Sequence, residues 1–362
     1  MKHPTNSSLI LTGEDMQQIV LNRGLNAIMD DLITRMETAI INFDPSETEI
    51  PIRSGFNYEK PYPGLIEWMP LHKKGGKILI KIVGYHPNNP IMSGLPTILS
   101  TFSLYDTTTG HLMGITDGVF LTALRTGAAS ALASKVLAHP DSKVLGMIGC
   151  GAQAVTQLHA LSRVFDFEKI LIYDVDPAAA ESLVTRTEIL GLDVEFEVAE
   201  IEEIVKESDI LVTATSIDVG KGPLFSGLAT KPHLHVNAVG SDFPGKIEVP
   251  LDLLEKSFVC PDFIGQAVIE GECQQLTKEQ IGPDFAEVVK SQDKFKNVQQ
   301  ELSVFDSTGW TLEDSVVMEL FLEYAAKLGL GKAVDIEFVP KDAKNPYEFL
   351  GAMASVLQTQ GK

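Results

Sequence analysis

Cysteine is scarce. Only Cys150, Cys260 and Cys273 occur in 362 residues, and none stands at the paired spacing of a disulfide framework or a zinc site. Positive charge is in deficit too: 29 Lys and Arg face 49 Asp and Glu, a net of −20. A protein that tracks nucleic-acid phosphates needs a net basic face, so no nucleic-acid partner is expected. The amino terminus, Met1-Lys2-His3-Pro4-Thr5-Asn6, lacks the apolar core of a signal peptide. A reduced, cytoplasmic location is therefore the expectation. One uncharged stretch, Val144 to Ser162, approaches a membrane-spanning length. Gly146, Gly149 and Gly151 interrupt it, however, and Gln153, Gln157 and His159 follow. A buried strand, a glycine turn and a helix explain these letters better than a span, and no membrane partner is expected. Repeats and low-complexity tracts are missing as well.

What is present is ordinary for a globular chain. Hydrophobic residues make up 44% and charged residues 22%, which excludes disorder as a description of the whole. The length suggests about two domains. The first forty-odd residues read as helix. Thr12 can cap a turn with Glu14 and Asp15, and Leu25 to Ile41 repeats Ile28, Leu32, Met36 and Ile40 at helical spacing. After Pro45 come short strand candidates: Pro51–Arg53, Gly64–Met69, Lys77–Val83 and Thr97–Tyr105.

From about Thr122 the pattern changes to strand–helix alternation. Strands are expected at Lys143–Ile148, Lys169–Tyr173, Asp193–Val198, Asp209–Thr213 and His233–Val239. Helices are expected at Leu124–Leu137, Ala152–Val164, Pro177–Leu190 and Ile201–Glu207. Such alternation predicts an α/β fold with right-handed crossovers and a parallel, doubly wound sheet. Farther on, Thr311 and Asp314 resemble a capping box opening a helix that Gly329 would close.

Gly149-Cys150-Gly151-Ala152-Gln153-Ala154 follows one of these strands directly and opens a helix. Glycine spacing alone is a weak signal, but strand before and helix after make it a dinucleotide fingerprint. Gly149 permits a tight turn, and Gly151 lets backbone approach a pyrophosphate at the helix amino terminus. Asp174 ends the next strand, where an acid bonds the ribose 2′-hydroxyl and repels a 2′-phosphate. NAD is thus expected over NADP. Thr215, after Asp209–Thr213, either touches cofactor or is a plain turn residue.

Three cations lie in apolar strands: Arg53 after Ile50-Pro51-Ile52, Lys81 within Ile78-Leu79-Ile80-Lys81-Ile82-Val83, and Arg125 in Leu121-Thr122-Ala123-Leu124-Arg125. Charges in such runs are rarely buried unless paired, and a shared anion would pair all three. Taken singly, each is more simply an edge or snorkelling residue.

Several segments resemble the ornithine cyclodeaminase/μ-crystallin family. They are Lys81-Ile82-Val83 with His86-Pro87, Leu121 to Ala128, Gly149 to Gln153, and Asn237-Ala238-Val239-Gly240-Ser241-Asp242-Phe243-Pro244-Gly245-Lys246-Ile247-Glu248. Ile269 to Leu276 and Phe305-Asp306-Ser307-Thr308-Gly309 point within it to the ornithine cyclodeaminases. The resemblance runs from about Thr12 to about Leu328.

By position, the resemblance implies that Arg53, Lys81 and Arg125 hold an amino-acid carboxylate, with Arg125 also touching cofactor. Glu67 would sit by the substrate amines, Asp242 would be the acid/base, and Thr308 would approach the substrate. Gly149, Gly151, Thr97, Ala152, Gln153, Asp174, Thr215, Val239, Gly240, Ser241, Asp242, Lys246 and Ser307 would line the NAD site, with no metal. It further implies a Rossmann-type NAD domain over 127–308 and a discontinuous α+β substrate and dimerisation domain over 1–126 and 309–362. Departures exist: Val268 stands where the bacterial motif begins with Arg, and residues after about Leu330 are unmatched.

The implied reaction turns L-ornithine into L-proline and ammonia by internal hydride transfer through tightly bound NAD. The attacking amine must be neutral, so a carboxylate has to take its proton and later protonate departing ammonia. Lysine cyclodeaminase is the nearest alternative, because one methylene is worth only ~1–3 kcal/mol in a pocket. An amino-acid dehydrogenase, a cyclic-imine reductase and a non-catalytic μ-crystallin-like binder are the others. A homodimer is expected.

Overall fold

The computed structural model describes residues 7–353. Met1–Asn6, read above for a leader, and the last residues of the 309–362 segment lie outside the described residues. The described chain builds two sheets that share a layer of helices.

Seven strands form the parallel sheet, in the spatial order Glu195–Val198, Lys169–Tyr173, Val144–Ile148, Ile210–Thr213, His235–Ala238, Ser303–Asp306 and Phe258–Pro261. The central strands are buried on both faces, as a sheet covered by crossover helices requires. From Val144–Ile148 the chain winds outward in one direction, then returns to Ile210–Thr213 on the other side. That reversal opens a crevice at the strands' carboxyl ends. The uncharged stretch from Val144 resolves into strand Val144–Ile148 and helix Ala152–Leu161. Among the described residues no helix is long and apolar enough to cross a membrane.

The second sheet is mixed, ordered Lys332–Val334, Ser8–Leu11, Leu112–Asp117, Ile98–Asp106, Lys77–Tyr85, Gly64–Lys73 and Thr48–Glu49, with Ser54–Tyr58 also on Gly64–Lys73. Side chains alternate between its faces. Leu65, Met69, Leu71, Leu79 and Phe102 point into the core, while Phe56, Ile66, Trp68, Ile82 and Leu99 are exposed. The inner face packs on helices Val119–Leu137 and Thr311–Leu328. Helix Leu25–Ile41 buries Ile28, Leu32, Met36 and Ile40, the positions its spacing predicts.

Local signals were realised unevenly. Thr12 and Asp15 form a reciprocal capping box on helix Gly13–Arg23. The opening segment is not wholly helical, because Ser8–Leu11 is a strand held between two others. Pro51–Arg53 lies outside any strand; pairing with Gly64–Lys73 breaks after Glu49 and resumes at Ser54. Thr311 and Asp314 make no capping box, since Trp310 is the N-cap residue and no side chain caps the helix. The Asp314 carboxylate is spent elsewhere. Helix Val119–Leu137 runs unbroken through the boundary expected after residue 126.

Candidate active site

At the crevice, Gly149 has φ +96°, a conformation costly for residues with a side chain. A Cβ there would also lie 2.6 Å from the Ala214 carbonyl, so glycine lets the two strand ends meet. Gly151, the N-cap residue of helix Ala152–Leu161, brings no capping side chain, and a Cβ on it would meet nothing within 4 Å. Ala152 and Gln153 follow in the first turn. Their free backbone donors face an open approach, the arrangement that receives a pyrophosphate.

Asp174 is tied to this turn from the neighbouring strand. Its Oδ2 accepts from Cys150 N–H at 2.7 Å and its Oδ1 from Asp176 N–H at 2.9 Å. On the other side, Glu248 is fully buried. It accepts from Thr215 N–H at 2.7 Å, from the Thr215 hydroxyl at 2.6 Å and from Gly240 N–H at 2.9 Å. One carboxylate therefore fixes the loops after two adjacent strands. Val239 and Gly240 donate to Thr213 O, the Ser241 hydroxyl donates to Lys246 O, and Ser307 N–H donates to Ala238 O. The Ser307 hydroxyl is buried with no hydrogen-bond partner among the described residues. An orphaned buried donor at the same carboxyl edge of the sheet as the open glycine turn, with two strands between them, fits a dinucleotide. Thr97 stands apart from this group, just before strand Ile98–Asp106, its carbonyl accepting from His86 N–H.

Next to the crevice, the structure brings Arg53, Glu67, Lys81, Arg125 and Thr308 together. Lys81 is 1% exposed, and its Nζ lies 3.2 Å from Asp314 Oδ1. Burial pulls its ammonium down to about 7; Asp314 resists this, while Arg125 and Arg53 push the same way. Arg125 contacts Glu313 Oε2 at 2.8 Å and Asp314 Oδ1 at 3.1 Å. Burial pushes the Glu313 carboxyl up to about 8 against the pull of Arg125. Arg53 reaches Glu270 at 2.9 Å and Glu67 at 3.8 Å, and donates to the Thr308 and Gly309 carbonyls.

The side nearest Arg53 is acidic. Burial pushes Glu270 up to about 8, with Arg53 opposing and with Glu67 and Asp242 adding to the rise. Glu67 is raised as well, by burial first and by Asp242 in part. Three carboxylates thus feel one another across this space. Asp242 is the partly accessible one, held by Lys246 Nζ at 2.8 Å. That ammonium also lies over the Tyr85 ring, 5.3 Å from its centre.

Sequence reasoning found the cations but not their partners. Glu270 carried the same signal as they did, an ionisable residue beside the apolar Val268 and Ile269. Asp314 was masked by its resemblance to a helix cap, and its neighbour Glu313 was not singled out. Glu248 gave no signal, because its role lies in two loops distant in sequence.

The profile of the ornithine cyclodeaminase/mu-crystallin family matches residues 14–327. The chain belongs to that family. It is 40% identical over 339 residues to the L-lysine cyclodeaminase of Streptomyces rapamycinicus, covering 93% of this chain and 98% of that protein. A solved lysine cyclodeaminase, studied for recognition of L-lysine, L-ornithine and L-2,4-diaminobutyric acid, superimposes with a TM-score of 0.91 at 47% identity, covering 94% and 99% of the two chains. An archaeal alanine dehydrogenase dimer with bound NAD follows at TM-score 0.81 and 31% identity, covering 91% and 100%. The ornithine cyclodeaminase of Agrobacterium fabrum is more distant, 32% identical over 301 residues, covering 83% and 82%. These likenesses support the lysine alternative better than ornithine as the principal substrate.

Proposed function

We propose that the chain is an NAD-dependent diamino-acid cyclodeaminase that converts L-lysine into L-pipecolate and ammonia, with L-ornithine as a poorer substrate. One observation carries this reading: three cations, Arg53, Lys81 and Arg125, lie together with three mutually sensed carboxylates, Glu67, Glu270 and Asp242. A molecule with a carboxylate at one end and an amine at the other answers both charges. The family likeness to lysine cyclodeaminases supports the longer diamine.

The cofactor is NAD(H). Bound in the crevice, it would supply a hydride acceptor and donor for a cycle with no net redox change. Gly149, Gly151, Ala152 and Gln153 would receive its pyrophosphate and Asp174 its ribose, with Thr215, Val239, Gly240, Ser241, Lys246 and Ser307 around the remainder. Arg53, Lys81 and Arg125 hold the substrate carboxylate and so orient its α-carbon toward the crevice. Glu67 and Glu270 receive the far amine. Asp242 takes that amine's proton for ring closure and gives it to the departing ammonia. The unit over 127–308 would carry the cofactor, and 1–126 with the segment after 309 the substrate.

Dimerisation belongs to the same proposal. Phe56, Ile66, Trp68, Ile82 and Leu99 are neighbours on adjacent strands of the outer sheet face, and the Phe56 and Trp68 rings meet edge-on. A contiguous exposed apolar face of this kind suits a second copy. Trp68→Glu is expected to give a monomer mass by light scattering; an unchanged dimer would move the interface elsewhere.

The decisive assay incubates the protein with a trace of NAD and either L-lysine or L-ornithine. Pipecolate and ammonia should form without accumulating NADH, with kcat/KM higher for lysine. Stoichiometric NADH would make the protein a dehydrogenase, and a preference for ornithine would restore the shorter substrate.

A further inference from the structure

Asp262 follows strand Phe258–Pro261 directly and is 1% exposed. Its carboxylate is filled by three donors from the chain itself. Phe263 N–H donates at 2.6 Å, the Thr308 hydroxyl at 3.0 Å and Gly309 N–H at 2.6 Å. The last two belong to the turn that follows the neighbouring strand Ser303–Asp306 and leads into helix Thr311–Leu328.

That turn lies between two guanidinium groups. Both of its carbonyls, Thr308 O and Gly309 O, accept from Arg53 Nη2. Gly309 has φ +96°, and a Cβ on it would stand 2.8 and 3.0 Å from the terminal nitrogens of Arg125. The turn therefore holds Arg53 by hydrogen bonds and abuts Arg125 by contact. The two backbone carbonyls hold the Nη2 side of the Arg53 guanidinium, while Glu270 meets Nη1 at 2.9 Å. A guanidinium fork matches a carboxylate only when its plane is held, and displacement by a fraction of an ångström loses the paired bonds.

We infer that Asp262 is a positioning residue for recognition of the substrate carboxylate: it clamps the Thr308–Gly309 turn, and the turn sets the spacing of Arg53 and Arg125. The inference rests on the carboxylate-binding role proposed for those two arginines. Asp262 acts only through the turn. Burial raises its carboxyl, while the three donors and Arg125 pull it back toward the ionised form that a threefold acceptor requires.

Asp262→Asn keeps the shape but puts an amide NH2 where one oxygen accepted. The NAD-loaded variant and parent are titrated with L-lysine and with L-lysinamide, which differ at the carboxylate, and lysine kinetics are run in parallel. The parent should bind lysine much the tighter. The variant should lose about tenfold in lysine affinity, the scale of a broken hydrogen bond to a charged group. It should lose little for lysinamide, with KM rising more than kcat falls and NAD affinity unchanged. An unchanged lysine-to-lysinamide ratio in the variant overturns the clamp alone. A parent that does not distinguish the two ligands overturns the carboxylate site, and the clamp with it. Should Asp262→Asn not fold, Thr308→Val and Thr308→Ser replace it: the ratio should shrink in the first, which lacks the hydroxyl, and stay near parental in the second. Equal ratios in those two variants would refute the clamp.

Discussion

The Lys81 ammonium lies 3.2 Å from the Asp314 carboxylate, both side chains essentially without solvent, although 233 positions separate them in the chain. The same carboxylate oxygen also meets Arg125 Nε at 3.1 Å. Asp314 sits in the first turn of its helix, where the helix dipole favours a negative charge. One buried oxygen thus keeps two cations side by side.

Asp314→Asn is therefore expected to destabilise the protein and raise KM for the amino acid. Stranding a buried charge costs ~3–5 kcal/mol when the charge has no escape. Lys81 does have one, because burial already holds it at about 7 and it sheds its proton above that. The loss of melting temperature should be larger at pH 6 than at pH 8. An equal loss at both would mean that Lys81 is not the group being stranded.

Asp242→Asn should keep NAD binding while turnover falls by ~10²–10⁴-fold, typical for a lost acid/base. The loop around it is held by backbone contacts and by Glu248, which the change leaves alone. A brief NADH signal without pipecolate would show that only ring closure had failed. Near-normal pipecolate formation would pass the role to Glu67 or Glu270.

For the cofactor, Asp174→Ser should narrow the preference for NAD over NADP by removing the repulsion of a 2′-phosphate. The structure adds a second expectation. Asp174 also accepts from Cys150 N–H and Asp176 N–H, so NAD affinity itself should fall as the glycine turn loosens. Fluorescence titration of both dinucleotides checks this, and an unchanged ratio would remove Asp174 from the ribose site.

Stability should decline as pH rises from about 5.5 to 8. Burial raises Glu270 and Glu313 from 4.5 to about 8, and Asp306 from 3.8 to about 7. A raised folded value means that the native state keeps protons the unfolded chain has lost. The resulting stability is complete at low pH and disappears as pH passes through the folded values. Three groups act in the opposite sense and reduce the decline: Lys81, lowered from 10.5 to about 7, above about pH 7, and the buried His159 and His235, lowered from 6.5 to about 4 and about 3, below about pH 6.5. Growing self-repulsion of the net acidic chain adds to the decline. Melting temperatures of the ligand-free protein at pH 5.5, 6.5 and 8 test it; a rise across that range would show that the buried carboxyls titrate normally.

The glycine turn, the strand before it and the helix after it were legible because each rests on neighbours within a few residues. So were Asp174 at the end of the next strand and the capping pair Thr12–Asp15. The opening strand Ser8–Leu11 was not legible: four residues are too few for a period, and partners near residues 114 and 333 hold it in place. The three cations announced from their apolar surroundings that each needed a counter-charge. Which carboxylate serves each one was settled by packing, since Glu270 reaches Arg53 and Asp314 reaches Lys81 across two elements with no sequence relation. Asp314 shows the limit most plainly. Its spacing from Thr311 suits a cap, yet a buried ammonium without a partner costs more than an uncapped helix end, so the carboxylate went to Lys81. Patterning along the chain could place charges in apolar runs, though only Lys81 proved to lie in a strand and Arg125 lies on a helix; desolvation, which acts only once those runs meet, chose their partners.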